Sequence, residues 1–447
     1  VYNTLNWERS GLIKVYIDHQ ILPRYTSYSI TDQSGNQLKA QPVEHHSDGT
    51  YWAIWVDKIP AFGYKKFIIK TDKNKAFAVS KSKTIDGNTF ENNFYKIGFD
   101  FTKGAIQSLI DKDNNKELVD SKSRYKLGEY IYELLSNRSQ MESRVLNNFI
   151  RRGLDSVWYD GFEEGDIWNT VRLKGNTVAA NENGSYTLEI RIFNDVKRID
   201  LFYAIDKKLN VAPEGIYIAF PFAMEEGQLA FDVQGGEVRA GIDQIPGSSN
   251  DWNTVQNYAR LYNKNNQVML SSSEMPLMQF GNINTGRYKA GAKPESTHIF
   301  GWPMNNYWVT NFNAFQFGGH EWIYTISGSN NPSSTEAVRF GWGKRTPFLS
   351  RVLPGGGRGE SIWSGSFLKG WADNLLLVSA IPAADGKSAI LHLRETEGKN
   401  AVLRLYNGKS EKPIDLIQTD VTGDPVKNGS NEFNPLESKF FRMMINE

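Results

Sequence analysis

Between residues 302 and 313 the sequence reads Trp-Pro-Met-Asn-Asn-Tyr-Trp-Val-Thr-Asn-Phe-Asn, with amides interleaved among aromatic rings. An asparagine side chain both donates and accepts hydrogen bonds, which suits sugar hydroxyls, while indole and phenol rings offer apolar faces to a pyranose. Trp302, Asn305, Asn306, Tyr307 and Trp308 are therefore the expected carbohydrate-binding residues. Arg358, on the loop Pro354-Gly-Gly-Gly-Arg-Gly359, is their expected mobile partner. On an extended strand Asn305, Tyr307 and Val309 would share one face and Asn306, Trp308 and Thr310 the other, and one of those faces belongs to a core. The competing reading is that the rings pack a sandwich and the asparagines close its turns. The glycines at 355, 356, 357 and 359 precede neither Gly-Lys-Ser/Thr nor a helix signal, so they read as a flexible loop and not as a phosphate cradle.

Bond-breaking chemistry is harder to find. Retaining cleavage of a glycosidic bond needs two carboxyls about 5 Å apart, one with a raised pKa and one ionised. The densest acidic stretch, Asp155 to Asp166, mixes carboxylates with Trp158, Tyr159 and Phe162 and reads as a solvated loop between strands. Such a loop could instead bind sugar hydroxyls or, through oxygen ligands, calcium, although its spacing is not that of the helix-loop-helix calcium motif. The six histidines are His19, His45, His46, His298, His320 and His392. Only His45 and His46 adjoin, and neighbours on a strand point to opposite faces, so both read as surface residues. Gly319-His-Glu321 lacks the second histidine at helical spacing that a zinc motif needs. No catalytic residue, metal ligand or cofactor is assigned within this chain.

The elements that must position these residues read as strands. Leu188, Ile190 and Ile192 alternate with Thr187, Glu189 and Arg191; Ile199, Leu201, Tyr203 and Ile205 repeat the pattern, as do Ala389, Leu391 and Leu393. That is the period of a half-buried strand. Turn signals such as Asp48-Gly49, Asn183-Gly184 and Asn407-Gly408 punctuate the runs and indicate sandwiches or barrels. The one expected helix lies around Lys126 to Arg144. Three pieces are expected: a small β-sandwich over 1–85, a large two-sheet supersandwich over 86–350, and a C-terminal strand region over 351–447.

Bulk properties set the boundaries. A chain of 447 residues holds several cores. Its aromatic content of 13%, from 12 Trp, 20 Tyr and 25 Phe, suits strands and sugar stacking alike. A net charge of +1 without a basic block gives no reason to propose nucleic acid or an anionic membrane. No apolar run approaches the roughly 18 residues of a membrane span. Having no cysteine, the chain has neither disulfides nor thiolate chemistry. It would be equally safe in any redox compartment; a periplasmic or extracellular location is the expectation. Residue 1 is Val and leads straight into strand-like sequence, which points to a boundary within a longer polypeptide.

Several strings together carry a resemblance. Asn3-Thr-Leu-Asn-Trp-Glu-Arg-Ser-Gly11, Lys197-Arg-Ile-Asp200, Glu214-Gly-Ile-Tyr-Ile-Ala-Phe-Pro-Phe222 and Asn305-Asn-Tyr-Trp308 occur in the order found in the C-terminal, all-β half of the family-38 glycoside hydrolases, the retaining α-mannosidase family. Ile59 to Tyr64, Glu91 to Tyr95, Ile110 to Val119, Pro246 to Trp252 and Gln279 to Ile283 are similar too. The resemblance implies an all-β fold, with a small sandwich, a galactose-mutarotase-like supersandwich and a last strand set. It also implies that the catalytic Asp, the acid/base and the zinc, held by two His and two Asp, lie in an upstream barrel that this sequence lacks. The expected role is to support that barrel and help bind a mannose-containing glycan, the chain alone being inactive. The alternatives are a stand-alone carbohydrate-binding module, a purely structural or assembly role, or a mutarotase- or lyase-like enzyme. The enzyme would be seeded by His298, or by His320 with Glu321.

Overall fold

The computed structural model describes residues 1–24, 26–76, 85, 87–249, 251–286, 293–353 and 364–445. Arg358 and its glycine-rich loop lie outside the described residues. Among the described residues the protein is built from antiparallel strands and two helices, Ser139–Glu142 and Ser334–Arg345. Neither helix is long and apolar enough to cross a membrane.

The chain forms two compact units. One comprises residues 1–80, 333–335 and 346–447. Its N-terminal part pairs Arg9–Asp18 with Gly49–Ile59 and that strand with Ala40–His45, while Thr26–Thr31 pairs with Ile68–Ala76. Ile13, Ile17, Trp52, Ile54 and Val56 fill the core there. In its C-terminal part Leu375–Pro382, Ser388–Glu395, Ser438–Met444 and Leu416–Thr419 form a four-stranded sheet over Leu377, Leu391, Leu393 and Phe441.

The other unit, residues 81–332 and 336–345, is the large supersandwich. A nine-stranded sheet runs in the order Ser156–Glu163, Trp168–Asn176, Tyr186–Phe193, Ile199–Lys207, Gly318–Ser329, Gln267–Ser271, Ala259–Tyr262, Gln228–Val233, Gly236–Arg239. A six-stranded sheet runs Phe149–Arg152, Tyr130–Leu135, Glu214–Phe220, Ile299–Asn305, Leu277–Phe280, Asn253–Thr254. The alternating residues read from the sequence do point inward: Leu188, Ile190, Ile192, Leu201, Tyr203 and Ile205 are all buried in one cluster with Ile216, Ile218 and Phe220 of the six-stranded sheet. Burying that much apolar surface is the main drive for the unit to form.

The six-stranded sheet is buried on both faces, which is why part of it escaped the sequence pattern. Tyr130 and Tyr132 face the main core, while Ile131 and Leu135 join a second cluster with Tyr217, Ala219, Phe300, Trp302 and Tyr307. All seven residues of Glu214–Phe220 are buried. A strand covered on both sides loses its period-2 signal. For that reason the helix expected around Lys126 to Arg144 is instead the strand Tyr130–Leu135 followed by a single helical turn, Ser139–Glu142.

Two further expectations change. The acidic segment Asp155–Asp166 is mostly the edge strand Ser156–Glu163, not a loop. Its carboxylates are held by cross-strand cations, Asp160 by Lys174 at 3.1 Å and Glu163 by Arg172 at 3.7 Å, and the ladder bulges between Tyr159 and Gly161. Gly161, beside the bulge, has a φ of 141°, a conformation that glycine adopts at little cost. The helix Ser334–Arg345 was not anticipated, although Ser333 followed three residues later by Glu336 has the spacing of a capping box.

Candidate functional site

The segment chosen for sugar binding starts inside the six-stranded sheet and ends at its rim. Ile299–Asn305 is a strand paired with Glu214–Phe220, and the chain turns immediately after it. Trp302 is 3% exposed, Asn306 4% and Tyr307 fully buried. Those three side chains therefore pack and brace, and none of them lies open to solvent. Asn305 and Trp308 are half-buried, and Val309 and Phe312 beyond them are exposed. Arg358 lies outside the described residues.

The turn is fixed by the buried carboxylate of Glu133 and by the backbone of Glu214. Glu133 lies on the outer face of the sheet with no exposure. It is forked by Arg151 of the edge strand, whose Nε lies 2.8 Å from Oε2. Its other oxygen accepts the hydroxyls of Tyr307 at 2.6 Å and Tyr217 at 3.3 Å. Those two hydroxyls also meet each other at 3.2 Å, and the Tyr217 hydroxyl lies 3.2 Å from the Thr285 hydroxyl. Burial first, and the neighbouring charge of Glu133 with it, pushes both tyrosines well above their ordinary pKa, so they stay neutral donors.

Glu214 begins the next strand, in register with Leu134, and its carboxylate points to the opposite face. There Lys207, at the end of a nine-stranded-sheet strand and 2% exposed at its side chain, reaches it at 2.6 Å and ties the two sheets together. Tyr132 donates to its second oxygen at 2.6 Å and Asn210 at 2.9 Å. Tyr132 is held far up by burial and this carboxylate. The amide of Glu214 donates to Oδ1 of Asn306 at 2.7 Å, and Asn306 Nδ2 donates to the carbonyl of Asn210 at 3.0 Å. A cavity of about 10 Å³, room for one water, is lined by Lys207, Glu214, Asn305 and Asn306.

Asn306 and Tyr307 are consecutive, so the turn is held by Glu214 through one and by Glu133 through the other. Gly215 makes room for this: a Cβ there would collide with the Tyr307 hydroxyl. Sequence reasoning found the turn but missed both carboxylates. The run beginning at Glu214 was visible, yet nothing in one sequence links Glu133 to a tyrosine 174 residues away.

From Glu133 outward the aromatic rings form a continuous path. Tyr217 stacks on Trp302 at 5.7 Å with planes 3° apart, and Trp302 meets Trp252 at 5.6 Å. Trp252 in turn meets Trp308 at 5.3 Å. Trp252, which the site assignment had omitted, is 37% exposed.

The histidines do not gather. His45 bonds Thr50 and His46 pairs with Glu44. His298 Nε2 lies 2.9 Å from Asp120. His320 and Glu321 are successive residues of one strand and so face opposite ways, which argues against the mutarotase-like pairing. Among the described residues no three His, Cys, Asp or Glu come together as a metal site. Both Glu133 and Glu214 are engaged by a cation and by hydroxyls, so their carboxylates brace the sheet around the turn.

Comparison with known proteins agrees with this picture. Residues 90–274 match the family model described as glycosyl hydrolases family 38 C-terminal domain. The structure aligns over 99% of its length with an alpha-mannosidase from Enterococcus faecalis V583, at a TM-score of 0.70 and 13% identity. It aligns equally well, with the same score and identity, with a glycosyl hydrolase family 38 protein from Enterococcus faecalis. The chain covers 55% and 57% of those two proteins, little more than half their length. A galactose mutarotase-like protein from Lactobacillus casei aligns over 54% of this chain and 99% of its own, at 13% identity and a TM-score of 0.32, too low to carry weight. No curated protein sequence matches. The family-38 C-terminal signature thus falls within the supersandwich, and the fold of nearly the whole chain is shared with the two Enterococcus faecalis proteins.

Proposed function

We propose that this chain is the β-sandwich portion of an α-mannosidase-like glycoside hydrolase, packing against a catalytic barrel and supplying one wall of the sugar site. The observation that carries this is the family-38 C-terminal signature over 90–274 in a fold that spans little more than half of its structural relatives. The complete enzyme would be a retaining glycosidase acting on a mannose-containing glycan. Its zinc and its catalytic carboxylates are assigned to the barrel, as the family resemblance implies.

Within this chain the division of labour follows burial. Asn305 and Trp308, with Arg358, are the residues proposed to face sugar; Trp302, Asn306 and Tyr307 position them from below. Glu133 and Glu214 are bound by cations and hydroxyls, so they hold geometry and transfer no proton in this scheme.

The test is the mass of the native gene product, followed by hydrolysis of an aryl α-mannoside with and without added zinc. A mass near twice the 50.7 kDa of this chain, zinc-dependent turnover by that longer protein and none by the 447-residue chain are expected. Turnover by the isolated chain would refute the reading.

A further inference from the structure

Two polar atoms in the outer aromatic cluster find no hydrogen-bond partner among the described residues: Nε1 of Trp302 and Oδ1 of Asp251. They belong to residues only 3% and 6% exposed. One is a donor and the other an acceptor, and burying either unpaired is costly. They sit in one neighbourhood. Asp251 directly precedes Trp252, whose ring meets Trp302 at 5.6 Å and Trp308 at 5.3 Å. A hydroxyl group, which donates and accepts at once, answers a carboxylate oxygen and an indole N–H together.

The surroundings suit a sugar. Trp252 is 37% exposed and Trp308 half-buried, with ring centroids 5.3 Å apart and planes inclined by 49°, so both indoles reach the surface side by side. Arg144, exposed and held with a φ of 55° just past the single helical turn, is close enough to act electrostatically on Asp251. Burial pushes the Asp251 carboxyl above its ordinary range, outweighing the hydrogen bonds from the Gly286 amide and Ser249 and the charge of Arg144, while Oδ1 itself finds no partner. Aromatic faces with a carboxylate and a guanidinium at their edge form a usual arrangement for recognising a pyranose.

We propose that Asp251, Trp252 and Trp308 form a pyranose-binding subsite, in which the sugar lies against the two indoles and one of its hydroxyls bridges Asp251 and Trp302. This deepens the carbohydrate reading above and rests on it. Both polar atoms are closed off from solvent, so a hydroxyl reaches them only as neighbouring rings shift. That shift is measurable.

The experiment is a titration of the 447-residue protein with methyl α-mannopyranoside and an α-linked mannotriose, read by calorimetry and by the indole N–H signals in NMR spectra. Saturable binding that moves the Trp252, Trp302 and Trp308 signals is expected. Trp252→Ala should weaken it at least tenfold. Asp251→Asn keeps the side chain's size and removes a poorly solvated charge, so the variant should fold as well as the wild type and still bind at least fivefold more weakly. Unchanged affinity in both variants, or no binding of either sugar, overturns the subsite. So does a crystal of the sugar-soaked protein in which a water, and no sugar, bridges Asp251 and Trp302. None of these outcomes touches the family reading, which stands or falls on the native mass and on zinc-dependent turnover by the longer protein.

Discussion

Replacing Arg151 with Met tests whether Glu133 is what holds the turn. Glu133 has no exposure and the Arg151 side chain is 11% exposed, so solvent screens the pair little. Removing one partner of a buried ion pair typically costs about 3–5 kcal/mol, because the other charge stays buried. Here two tyrosine hydroxyls remain on Glu133, which places the expected loss near the lower end, about 3 kcal/mol. With a urea slope of about 3 kcal/mol/M, the midpoint should fall by about 1 M. Because the chain has two compact units, the measurement should follow the supersandwich alone, by hydrogen exchange at Tyr130–Leu135 or by Trp302 fluorescence in a background lacking other reporters. The double variant Glu133→Leu with Arg151→Met should recover most of the loss, since both charges leave together. Tyr217 and Tyr307 still share their mutual hydrogen bond, and the residual cost should be about 1 kcal/mol. A single-variant loss below about 1 kcal/mol, or a double variant no better than the single, would refute the assignment of Glu133 and Arg151 as the clamp.

Gly215→Ala should force the Tyr307 hydroxyl off Glu133 and destabilise the unit by about 1–3 kcal/mol, seen as a lowered midpoint and a changed Tyr307 environment. Asp200→Asn leaves Arg198 and Lys344 facing each other and should cost about 3 kcal/mol at neutral pH, read by denaturant unfolding. Burial works against the Asp200 charge, but Arg198 and Lys344 outweigh it and hold the carboxyl well below its ordinary range. Its contribution is therefore present above the unfolded carboxylate pKa of about 4 and is lost as pH falls through the folded value, so the gap between wild type and variant should close in acid. Lys344 is pushed by burial from 10.5 down to about 8. The unfolded chain then binds more protons between those values, so wild-type stability should rise from pH 8 to 10.5 relative to Lys344→Met. A parallel pair of pH curves would count against that folded value.

What was legible in the sequence follows from one-sided burial. Tyr186–Phe193 and Ile199–Lys207 keep one face in the main core and the other half-exposed, and their alternation announced them. Tyr130–Leu135 has a core on each face and an interior Glu, so it carried no such signature and was read as a helix. The acidic stretch was read as a loop because its glycines and carboxylates look like one; the ladder that makes it a strand is formed with Trp168–Asn176, whose Lys174 and Arg172 also face its carboxylates. In the candidate site, residue type alone could not separate the half-buried Trp308 from the interior Trp302. Trp252 was quoted only as part of a resemblance, since nothing local to residue 252 shows that its ring meets two others some fifty residues on.

These polar contacts also explain why so polar a segment sits at the edge of a deep core. Asn306 and Tyr307 are neighbours in the chain, yet one is fixed by the backbone of Glu214, whose side chain is tied to Lys207, and the other by the Glu133 carboxylate on the opposite face. A turn held from only one side could pivot about that contact. Held from both, it leaves Asn305 and Trp308 little freedom beyond their own side-chain rotations. Apolar residues of equal volume could stabilise the sheet as well or better, since buried ion pairs seldom repay their desolvation. The arrangement therefore makes more sense as a device for position than for stability, and that distinction has a consequence. Tyr307→Phe keeps the ring in the aromatic cluster and removes its hydroxyl, and with it the 2.6 Å hydrogen bond to Glu133 and the 3.2 Å contact with Tyr217, a loss of about 1.5–3 kcal/mol for the bond to the charged acceptor. If the clamp serves position, mannotriose binding by the folded variant should weaken and the Trp308 indole signal should broaden. If it serves stability alone, the midpoint should drop while affinity at low denaturant stays at the wild-type value.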